Sequence, residues 1–600
     1  MSVGQATPAV AKRVTRAKGR RLAEWSLVLG APLLPFLWRS SLGVLRIPAG
    51  DAWAYQRIVQ VFHETGTLQG VGWNDINLLG VLVPVIPWID VFGFGLVQLA
   101  VLTCLFGTLA LWATRDLSRL LPPGRRLLVI AAVAGFGGFV GSSATFLVDI
   151  YAFAGSAVAL ACAVRLLDRS GAGSGAHRDS GGRWSPRATA EAGVVVAAVF
   201  AFSVRQQTAV LPVAVAWYLW NTGYPRRRVL AIFGSWTIGS LAFLVYRAGL
   251  QSGGKVFYGL SIRSALVALF AMSVHLGIAL APFALLGGRW RALVRSRFWR
   301  TCGAAFALGV VAVSATSFAV EAYGGLDMAF ARPLAWPLVL RLPVFVVVGM
   351  LAALGGLALL DGIAVHLVGR EADPVADLSA GRRLGAAHTV SVVLRSLVSR
   401  DASPGPRSLI ARVAALSLLG DAAVVVVSSF YEPRYSMLTV LAGALLLTAT
   451  AGDERPSRAR ERWVVAVLAA GWLLSFISLD LSAITARAYF RAAEQAECRG
   501  VAATRIDGGF TWNGVHQGTA DRATPAERPD DGLPVTPTGR FYPTLKRDAV
   551  VSVNPLTTGP GVVQLPPLVV RGLLPGDRRT VYAAVRQSAS TGQAACTTSG

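Results

Sequence analysis

Two aspartates stand in short polar stretches between apolar blocks, where a carboxylate can do chemistry. Asp51 lies in the stretch PAGDAWAY and Asp149 in the stretch FLVDIY. A carboxylate flanked by aromatic side chains can accept a proton from a hydroxyl, or it can bind hydroxyls or a divalent cation. Both aspartates also have a structural interpretation. Asp51 suits the N-cap of the amphipathic stretch 52–64, and Asp149 suits the start of the next helix.

Two arginines occupy similar positions further along the chain. Arg205 lies in FSVRQQT and Arg434 in FYEPRYS, each between two apolar blocks. An arginine next to a membrane segment is costly unless it pairs or meets water. Such a guanidinium can hold a phosphate through charge-assisted hydrogen bonds. Alternatively, Arg205 is a structural partner of an aspartate, and Arg434 forms an ion pair with Glu432 two residues earlier.

The composition determines the class of protein that must position these side chains. The 600 residues are 54% hydrophobic and 15% charged, and the mean hydropathy is +0.54. The apolar residues form blocks of about 20, long enough to cross a bilayer core of about 30 Å. These features exclude a soluble multidomain enzyme, a disordered chain and a disulfide-stapled miniprotein. They predict an all-α polytopic membrane protein with the lipid bilayer as a partner.

The net charge of +25 sets the predicted topology. No nucleic-acid-binding motif accompanies the charge, so we expect no nucleic-acid partner. The basic residues concentrate in alternate short loops, which the positive-inside rule places in the cytoplasm. Segment 78–92 is short and contains two prolines, so we expect it to be interfacial or re-entrant rather than spanning. The predicted spans number 13: 22–44, 94–114, 127–147, 150–167, 190–204, 208–221, 229–247, 262–287, 301–320, 338–360, 408–430, 436–451 and 463–483.

This topology divides the chain into three regions. Residues 1–21 form a basic cytoplasmic N-terminus, and residues 22–483 form the transmembrane domain with a long first outer loop at 45–93. The Gly- and Ser-rich loop 168–190 reads as a flexible cytoplasmic linker. Residues 484–600 form an extracytoplasmic domain with strand-like runs at 549–553, 561–570 and 579–585. Because that domain is predicted to lie outside, Cys498 and Cys596 can form a disulfide.

The topology places Asp51, Asp149, Arg205 and Arg434 on the same face of the membrane, in four separate loops. A helix bundle can bring such loops together. Two carboxylates and two cations suit transfer from a lipid-phosphate donor. One acid accepts the proton of the incoming hydroxyl, and the arginines stabilise the charge that builds on the departing phosphate.

At these residues the chain resembles the GT-C class of integral-membrane glycosyltransferases, particularly the family-39-like branch. That branch includes protein mannosyltransferases and the bacterial lipid A aminoarabinose transferase. Its first-loop aspartate is matched by Asp51, and its aspartate opening the fourth span by Asp149. Its basic residue between spans five and six is matched by Arg205, and its late Arg-Tyr pair by Arg434 and Tyr435. The chain departs from the family where WNDINL stands in place of the usual His-Pro-Pro stretch.

The resemblance implies an inverting transfer from a polyprenyl-phosphate-linked sugar to an envelope glycan, lipid or protein. The chain would then be a multi-pass enzyme of a bacterial plasma membrane, acting at the extracytoplasmic face. In this interpretation Asp51 is the catalytic base, and Arg205 and Arg434 hold the donor phosphate. Asp149 positions the acceptor or a divalent cation, which leaves open a metal site at the two aspartates.

The resemblance also places the remaining substrate contacts. It makes Gln206 and Tyr435 substrate-binding residues beside the two arginines. The lipid tail of the donor is expected against 205–221 and 430–445.

Two alternatives come from other classes of protein. A transporter or flippase of an envelope precursor would place ionisable residues near the membrane midplane. Asp421 in span eleven is such a residue, although a polar contact to a neighbouring helix explains it better. A non-catalytic glycan-assembly protein would use the aromatic stretch 508–516 of the tail to stack on sugars. A packed aromatic turn explains that stretch better.

Overall fold

A computed structural model gives the fold of the chain. It describes residues 8–71, 78–171, 186–248, 261–286, 293, 297–314, 338–368, 406–428, 431–450, 457–517, 533–534, 542, 545–556, 559–573 and 578–587. The WND stretch at 73–75, most of the predicted linker 168–190 and Cys596 lie outside these residues.

The first half of the chain forms helices joined by short loops. These helices are α1 (Pro8–Ser41), α2 (Ala52–Thr65), α3 (Leu79–Phe92), α4 (Leu96–Leu117), α5 (Pro123–Gly135), α6 (Gly137–Ser143), α7 (Asp149–Gly171), α8 (Pro186–Val204), α9 (Val210–Asn221) and α10 (Arg226–Ala248). Among the described residues, four short 3₁₀ helices occur, at Ser118–Leu120, Gln206–Ala209, Pro433–Ser436 and Ala503–Arg505.

The second half continues the helical bundle and ends in a small sheet. Its helices are α11 (Ile262–Leu286), α12 (Arg297–Ser314), α13 (Leu338–Val368), α14 (Pro406–Ser428), α15 (Met437–Thr450), α16 (Arg458–Glu497) and α17 (Gly509–Gln517). Its strands are β1 (Ile506–Asp507), β2 (Ala549–Ser552), β3 (Val562–Gln564), β4 (Leu568–Arg571) and β5 (Arg578–Arg586). The chain is therefore a polytopic α-helical membrane protein with a β-containing C-terminal region, as the composition predicts.

The described residues contain some of the 13 predicted spans, and the total of 13 stays a prediction. Within the described residues, eight helices are long and apolar enough to cross a membrane, or nine if the bent pair α5–α6 is one span. Helices α9 and α15 have 12 and 14 residues, fewer than the about 20 that a span needs. Most of α15 is buried by other helices, whereas α9 buries one face and exposes Val213 and Trp220. Helix α3 is also too short to span, which agrees with the non-spanning role expected for 78–92.

The predicted span 127–147 is broken. Helices α5 and α6 meet at an angle of 62°, around Phe136 in an extended conformation. The break leaves the last carbonyls of α5 without helical partners, and Ser475 of α16 supplies a donor for one of them. Trp472 Nε1 donates to the carbonyl of Ala131 at 2.8 Å, and Ser475 Oγ donates to the carbonyl of Gly135 at 2.8 Å. Helix α16 thereby fixes the direction of α6.

The C-terminal sheet packs against the last part of α16. Strand β5 pairs with β2 along one edge, and with β3 and then β4 along the other, all antiparallel. Strand β1 pairs parallel with β2. Alanines of α16, including Ala488 and Ala492, are buried against apolar side chains of the strands. The predicted domain boundary at 483/484 therefore falls inside one continuous helix of 40 residues.

Helix α17 connects this C-terminal region to α2. The ring of Trp53 in α2 meets Phe510 edge-on, with ring centroids 5.9 Å apart. A side chain at Gly514 would lie 2.2 Å from the indole of Trp53, so a glycine is needed for the two helices to approach. The indole of Trp512 is 2% exposed and packs against Phe490. The stretch 508–516 is therefore a packed aromatic element, as one of its two interpretations expects.

Helices α11 and α13 approach through glycines, which makes a testable prediction. A Cβ added at Gly355 would lie 1.9 Å from the carbonyl oxygen of Gly277, a backbone atom that cannot move aside. We expect Gly355→Ala to lower the free energy of unfolding by about 1–3 kcal/mol or more. Thermal unfolding of the purified protein in detergent measures the change.

Gly356 provides the matched control, because nothing lies within 4 Å of a Cβ added there. Gly356→Ala should leave the stability unchanged or raise it by up to about 1 kcal/mol, since alanine favours a helix over glycine. Equal effects of the two substitutions would contradict the close helix contact.

Candidate functional site

The carboxylate of Asp51 points away from the helix that follows it. Gly50, with φ +51°, turns the chain just before α2. Asp51 occupies the N-cap position, but its side chain forms no capping hydrogen bond. Its Oδ2 instead accepts a hydrogen bond from Arg434 Nη2 at 2.5 Å. Simple capping therefore does not describe this side chain, which joins a cluster of charges.

Asp149 lies at the centre of that cluster. It opens α7, and its side chain is 2% exposed. Its Oδ2 accepts from Arg205 Nη2 at 3.1 Å, and its Oδ1 lies 2.9 Å from Arg205 Nε. Arg434 Nε lies 3.4 Å from its Oδ2. One buried carboxylate thus contacts both arginines that the sequence singles out.

Arg205 reaches Asp149 from the loop that ends α8. Its backbone is extended, with φ −145° and ψ 113°, and it caps the 3₁₀ helix Gln206–Ala209. Besides Asp149, its Nη2 donates to the hydroxyl of Tyr55 at 3.0 Å. Burial opposes the charge on Arg205, but the carboxylate of Asp149 outweighs it and raises the pKa of the guanidinium. Arg205 is therefore a permanent cation.

Arg434 is held in the 3₁₀ helix Pro433–Ser436 and is 9% exposed. It forms ion pairs with Asp51, Asp149 and Glu432. Burial opposes its charge, but these carboxylates raise its pKa well above the usual value. A Cβ at Gly138 of α6 would lie 2.6 Å from the carbonyl oxygen of Pro433. A glycine in α6 is therefore required for the Arg434 loop to come this close.

Tyr435 lies between the two guanidinium groups. The guanidinium carbons of Arg434 and Arg205 lie 5.6 Å and 5.7 Å from the centroid of its ring, within the range of cation–π attraction. Gln207 Nε2 donates to the carbonyl of Tyr435 at 3.2 Å, which ties the two arginine loops together. Gln206 begins the adjoining 3₁₀ helix, and its substrate contact stays a prediction.

The structure adds two residues that sequence reasoning did not assign to the site. Tyr55 stands one helical turn after Asp51, on the side of α2 that faces Arg205. The sequence feature that could have indicated Tyr55 is its position in the PAGDAWAY stretch, four residues after Asp51. Glu432 was interpreted only as an ion-pair partner of Arg434, yet it belongs to the same cluster as Asp51 and Asp149. Only the spatial arrangement reveals that the site holds three carboxylates.

The predicted cation site at Asp51 and Asp149 does not fit this arrangement. Both carboxylates already contact arginine side chains, which would repel a metal ion. Among the residues that the structure describes, no group of three or more His, Cys, Asp or Glu side chains could hold a metal. In the C-terminal region, Cys498 is disulfide-bonded. Its pairing with Cys596 stays a prediction.

Comparison with known proteins gives matches among solved structures. No protein-family model matches the chain, and no curated protein matches it. ArnT from Cupriavidus metallidurans bound to undecaprenyl phosphate is 13% identical, with a TM-score of 0.32 over 93% of this chain and 97% of that one. The Archaeoglobus fulgidus oligosaccharyltransferase is 12% identical, with a TM-score of 0.43 over 88% of this chain and 69% of that one.

A third match is the archaeal oligosaccharyltransferase AglB from Archaeoglobus fulgidus in complex with an inhibitory peptide and a dolichol-phosphate. It is 10% identical, with a TM-score of 0.34 over 79% of this chain and 58% of that one. The functional proposal rests on the contacts of the charged cluster.

The central position of Asp149 predicts a large effect on stability. Asp149→Asn would leave two buried guanidinium groups without their shared carboxylate. We expect a loss of about 3–5 kcal/mol in the free energy of unfolding, because breaking a buried pair leaves an uncompensated charge. Denaturant unfolding in detergent, followed by tryptophan fluorescence, measures it.

Asp90→Asn is the control for this substitution. Asp90 pairs with His63 at 3.0 Å, and the side chains are 55% and 38% exposed. An exposed pair contributes about 0–1 kcal/mol, so the variant should unfold nearly as the wild type does. If Asp149→Asn were equally mild, Asp149 would not be the shared counter-charge.

Proposed function

We propose that the chain is a membrane glycosyltransferase that moves a sugar from a polyprenyl-phosphate-linked donor to an extracytoplasmic acceptor. The observation that carries the proposal is the contact of two aspartates with two buried arginines, drawn from four separate loops. The cluster combines a proton acceptor with cations able to bind phosphate.

Arg205 and Arg434 bind the phosphate of the donor in this mechanism. Both guanidinium groups approach Asp149 from different loops, so a phosphate beside Asp149 can accept hydrogen bonds from both. As the bond between the anomeric carbon and the phosphate oxygen breaks, its electron pair stays on the phosphate. The fixed positive charges stabilise that developing charge without reorganising.

Asp51 acts as the general base. The acceptor hydroxyl attacks the anomeric carbon from the side opposite the phosphate, and Asp51 takes its proton. Inversion at that carbon follows. Asp51 and Arg434 are in direct contact, 2.5 Å apart. The donor must therefore enter between them, which places the reacting carbon between base and phosphate.

Charge balance gives Glu432 a role in donor binding. Burial raises the pKa of Glu432 to about 7, against the attraction of Arg434. When Glu432 is protonated, the two arginines balance Asp51 and Asp149. When it is ionised, Glu432 competes with the donor phosphate for Arg434. Donor binding should therefore favour the protonated form.

The path of the lipid tail differs from the sequence prediction at one of its two positions. Helix α15 is buried along nearly its whole length, including Val440 and Leu445. The expected tail contact at 430–445 is therefore wrong for this helix, because other helices cover it. Helix α9 exposes Val213 and Trp220, so the polyprenyl chain is proposed to lie along α9.

The contacts of the described residues do not favour the alternative functions. Thr439 Oγ1 of α15 donates a hydrogen bond to the carboxylate of Asp421 in α14 at 2.6 Å. This polar contact between helices is the one expected for Asp421, and it does not favour a transport relay. In the stretch 508–516, Trp512 is covered by Phe490 and His516. That indole ring therefore has no free face on which a sugar could stack.

Asp51→Asn tests the proposal directly. It removes the base while keeping the size of the side chain, so transfer should fall about 100- to 10,000-fold. Envelope glycan composition is measured in a deletion strain complemented with wild type or variant at equal membrane abundance. Wild type should restore a missing sugar linkage that the variant does not restore.

Glu64→Gln is the matched control, because Glu64 is an exposed residue of the same helix α2 and is bonded to Gln60. It should restore the linkage fully. Full restoration by Asp51→Asn would refute the assignment of the base. It would bring transport or glycan assembly forward as the function.

Glu432→Gln tests the charge balance. In the wild type the KM for the donor should rise several-fold between pH 6 and pH 8, as Glu432 ionises and occupies Arg434. Because a single group titrates, the KM for the donor can change by at most about tenfold per pH unit. In Glu432→Gln the rise should disappear, while Glu64→Gln should keep it. A pH dependence of KM that survives in Glu432→Gln would contradict this role.

A further inference from the structure

A cavity beside the charged cluster is lined by small and hydroxyl-bearing residues. Its volume is about 240 Å³. It lies between the glycine-rich helix α6, the loop before α2 and helix α16. Its hydroxyl groups come from Ser142, Ser475, Ser478 and Ser482. A space of this size suits one sugar ring rather than an extended glycan.

The cavity adjoins the site on only one side. Gly50, which directly precedes Asp51, lines it together with Glu432 and Arg434, whereas Arg205 is not among its lining residues. The cavity therefore reaches Arg434, Glu432 and the residue before Asp51, whereas Asp51 itself does not line it. A ligand in the cavity lies on the Arg434 side of the cluster, next to the loop that carries Asp51.

A second buried cation, Arg39 of α1, also lines this cavity. Its side chain is 2% exposed. Its Nη2 donates to the carbonyls of Val44 at 3.1 Å and Ile47 at 3.0 Å. Among the described residues its Nε–H meets no acceptor, and no carboxylate forms an ion pair with it.

Burying a guanidinium group that donates only to neutral carbonyls carries a large desolvation penalty. By donating to two carbonyls, Arg39 holds the loop before α2 in place. That structural role does not require a charged side chain that faces a cavity. An anion on Arg39 would supply the missing counter-charge and an acceptor for Nε, because carboxylates and phosphates match the guanidinium fork.

We propose that this cavity binds the acceptor as a single sugar residue bearing an anionic group, a carboxylate or a phosphate, which pairs with Arg39. The four serines bind its hydroxyl groups, and its reacting hydroxyl faces Asp51. The role of this sugar as the acceptor rests on the proposed function. The binding of an anionic sugar can be measured without any transfer.

The test is binding to the purified full-length protein in detergent. The probes are glucuronate, glucose 6-phosphate, neutral glucose and inorganic phosphate. The shift of the thermal unfolding midpoint with probe concentration gives the apparent affinity. We expect at least one anionic sugar to bind about 10- to 100-fold more tightly than glucose. If glucuronate binds more tightly than glucose 6-phosphate, the anionic group is a carboxylate. The reverse order indicates a phosphate.

Arg39→Gln should abolish this preference for the anionic sugar and leave the weak binding of glucose. Arg39→Lys, which keeps the charge but not the fork, should retain part of it. Arg46→Gln is the matched control, because Arg46 is an exposed arginine of the loop that Arg39 contacts. It should bind the probes as the wild type does. If Arg39→Gln does not fold, Ser482→Val provides a second test by removing a hydroxyl from the cavity, and should weaken glucuronate and glucose alike.

Three results would overturn the proposal: glucose binding as tightly as both anionic sugars, an unchanged affinity in Arg39→Gln, or inorganic phosphate alone binding as well as the anionic sugars. Arg205→Gln separates the two anion sites and should keep the binding of the anionic sugar. Loss of that binding in Arg205→Gln but not in Arg39→Gln would assign the anion to the donor-phosphate arginines.

Asp51→Asn distinguishes this inference from the proposed function. Loss of transfer with intact, Arg39-dependent binding supports both. Arg39-dependent binding with full transfer by Asp51→Asn supports the cavity and refutes the base. Loss of transfer in Asp51→Asn, together with Arg39-independent binding, refutes the cavity alone.

Discussion

The need to balance buried charge constrains the loops of this site. Arg205 and Arg434 are mostly withdrawn from water, and each requires a carboxylate because an unpaired buried ion costs several kcal/mol. Asp149 serves both, and Asp51 and Glu432 complete the set around Arg434. Because these side chains come from loops far apart in sequence, the network forms only when the whole bundle is assembled. Functional charges and tertiary structure are thereby interdependent.

The helices around the network are shaped to let the loops meet. The break between α5 and α6 turns Gly138 toward the backbone of Pro433, and only a glycine leaves room there. Ser475 of α16 donates to the carbonyl of Gly135, which that break frees, so α16 holds the bend. At the other end of α16 the C-terminal sheet presents α17 to Trp53 of α2. The C-terminal region therefore supports the helix that Asp51 begins.

The sequence anticipated the residues of the site better than the shape of the bundle. Charged residues among apolar blocks are conspicuous because burial makes them expensive, so Asp51, Asp149, Arg205 and Arg434 stood out. Hydropathy does not distinguish a helix buried by protein from one facing lipid. For that reason the hydropathy of 436–451 predicts a span, although most of α15 is covered by other helices. The sequence indicates the ion pair of Glu432 with Arg434, but it does not indicate that Glu432 shares a site with Asp51 and Asp149.

The sequence alone determined the class of protein, the helical nature of its blocks, the strands of its C-terminal region and the identity of its chemical groups. These depend on composition and local periodicity, which a chain carries at every position. The tertiary structure decided which carboxylate meets which arginine, and that Arg39 faces a serine-lined cavity. It also decided that Asp51 turns away from its own helix. Such facts depend on contacts between residues up to 383 positions apart, and no local pattern encodes a distance of that kind.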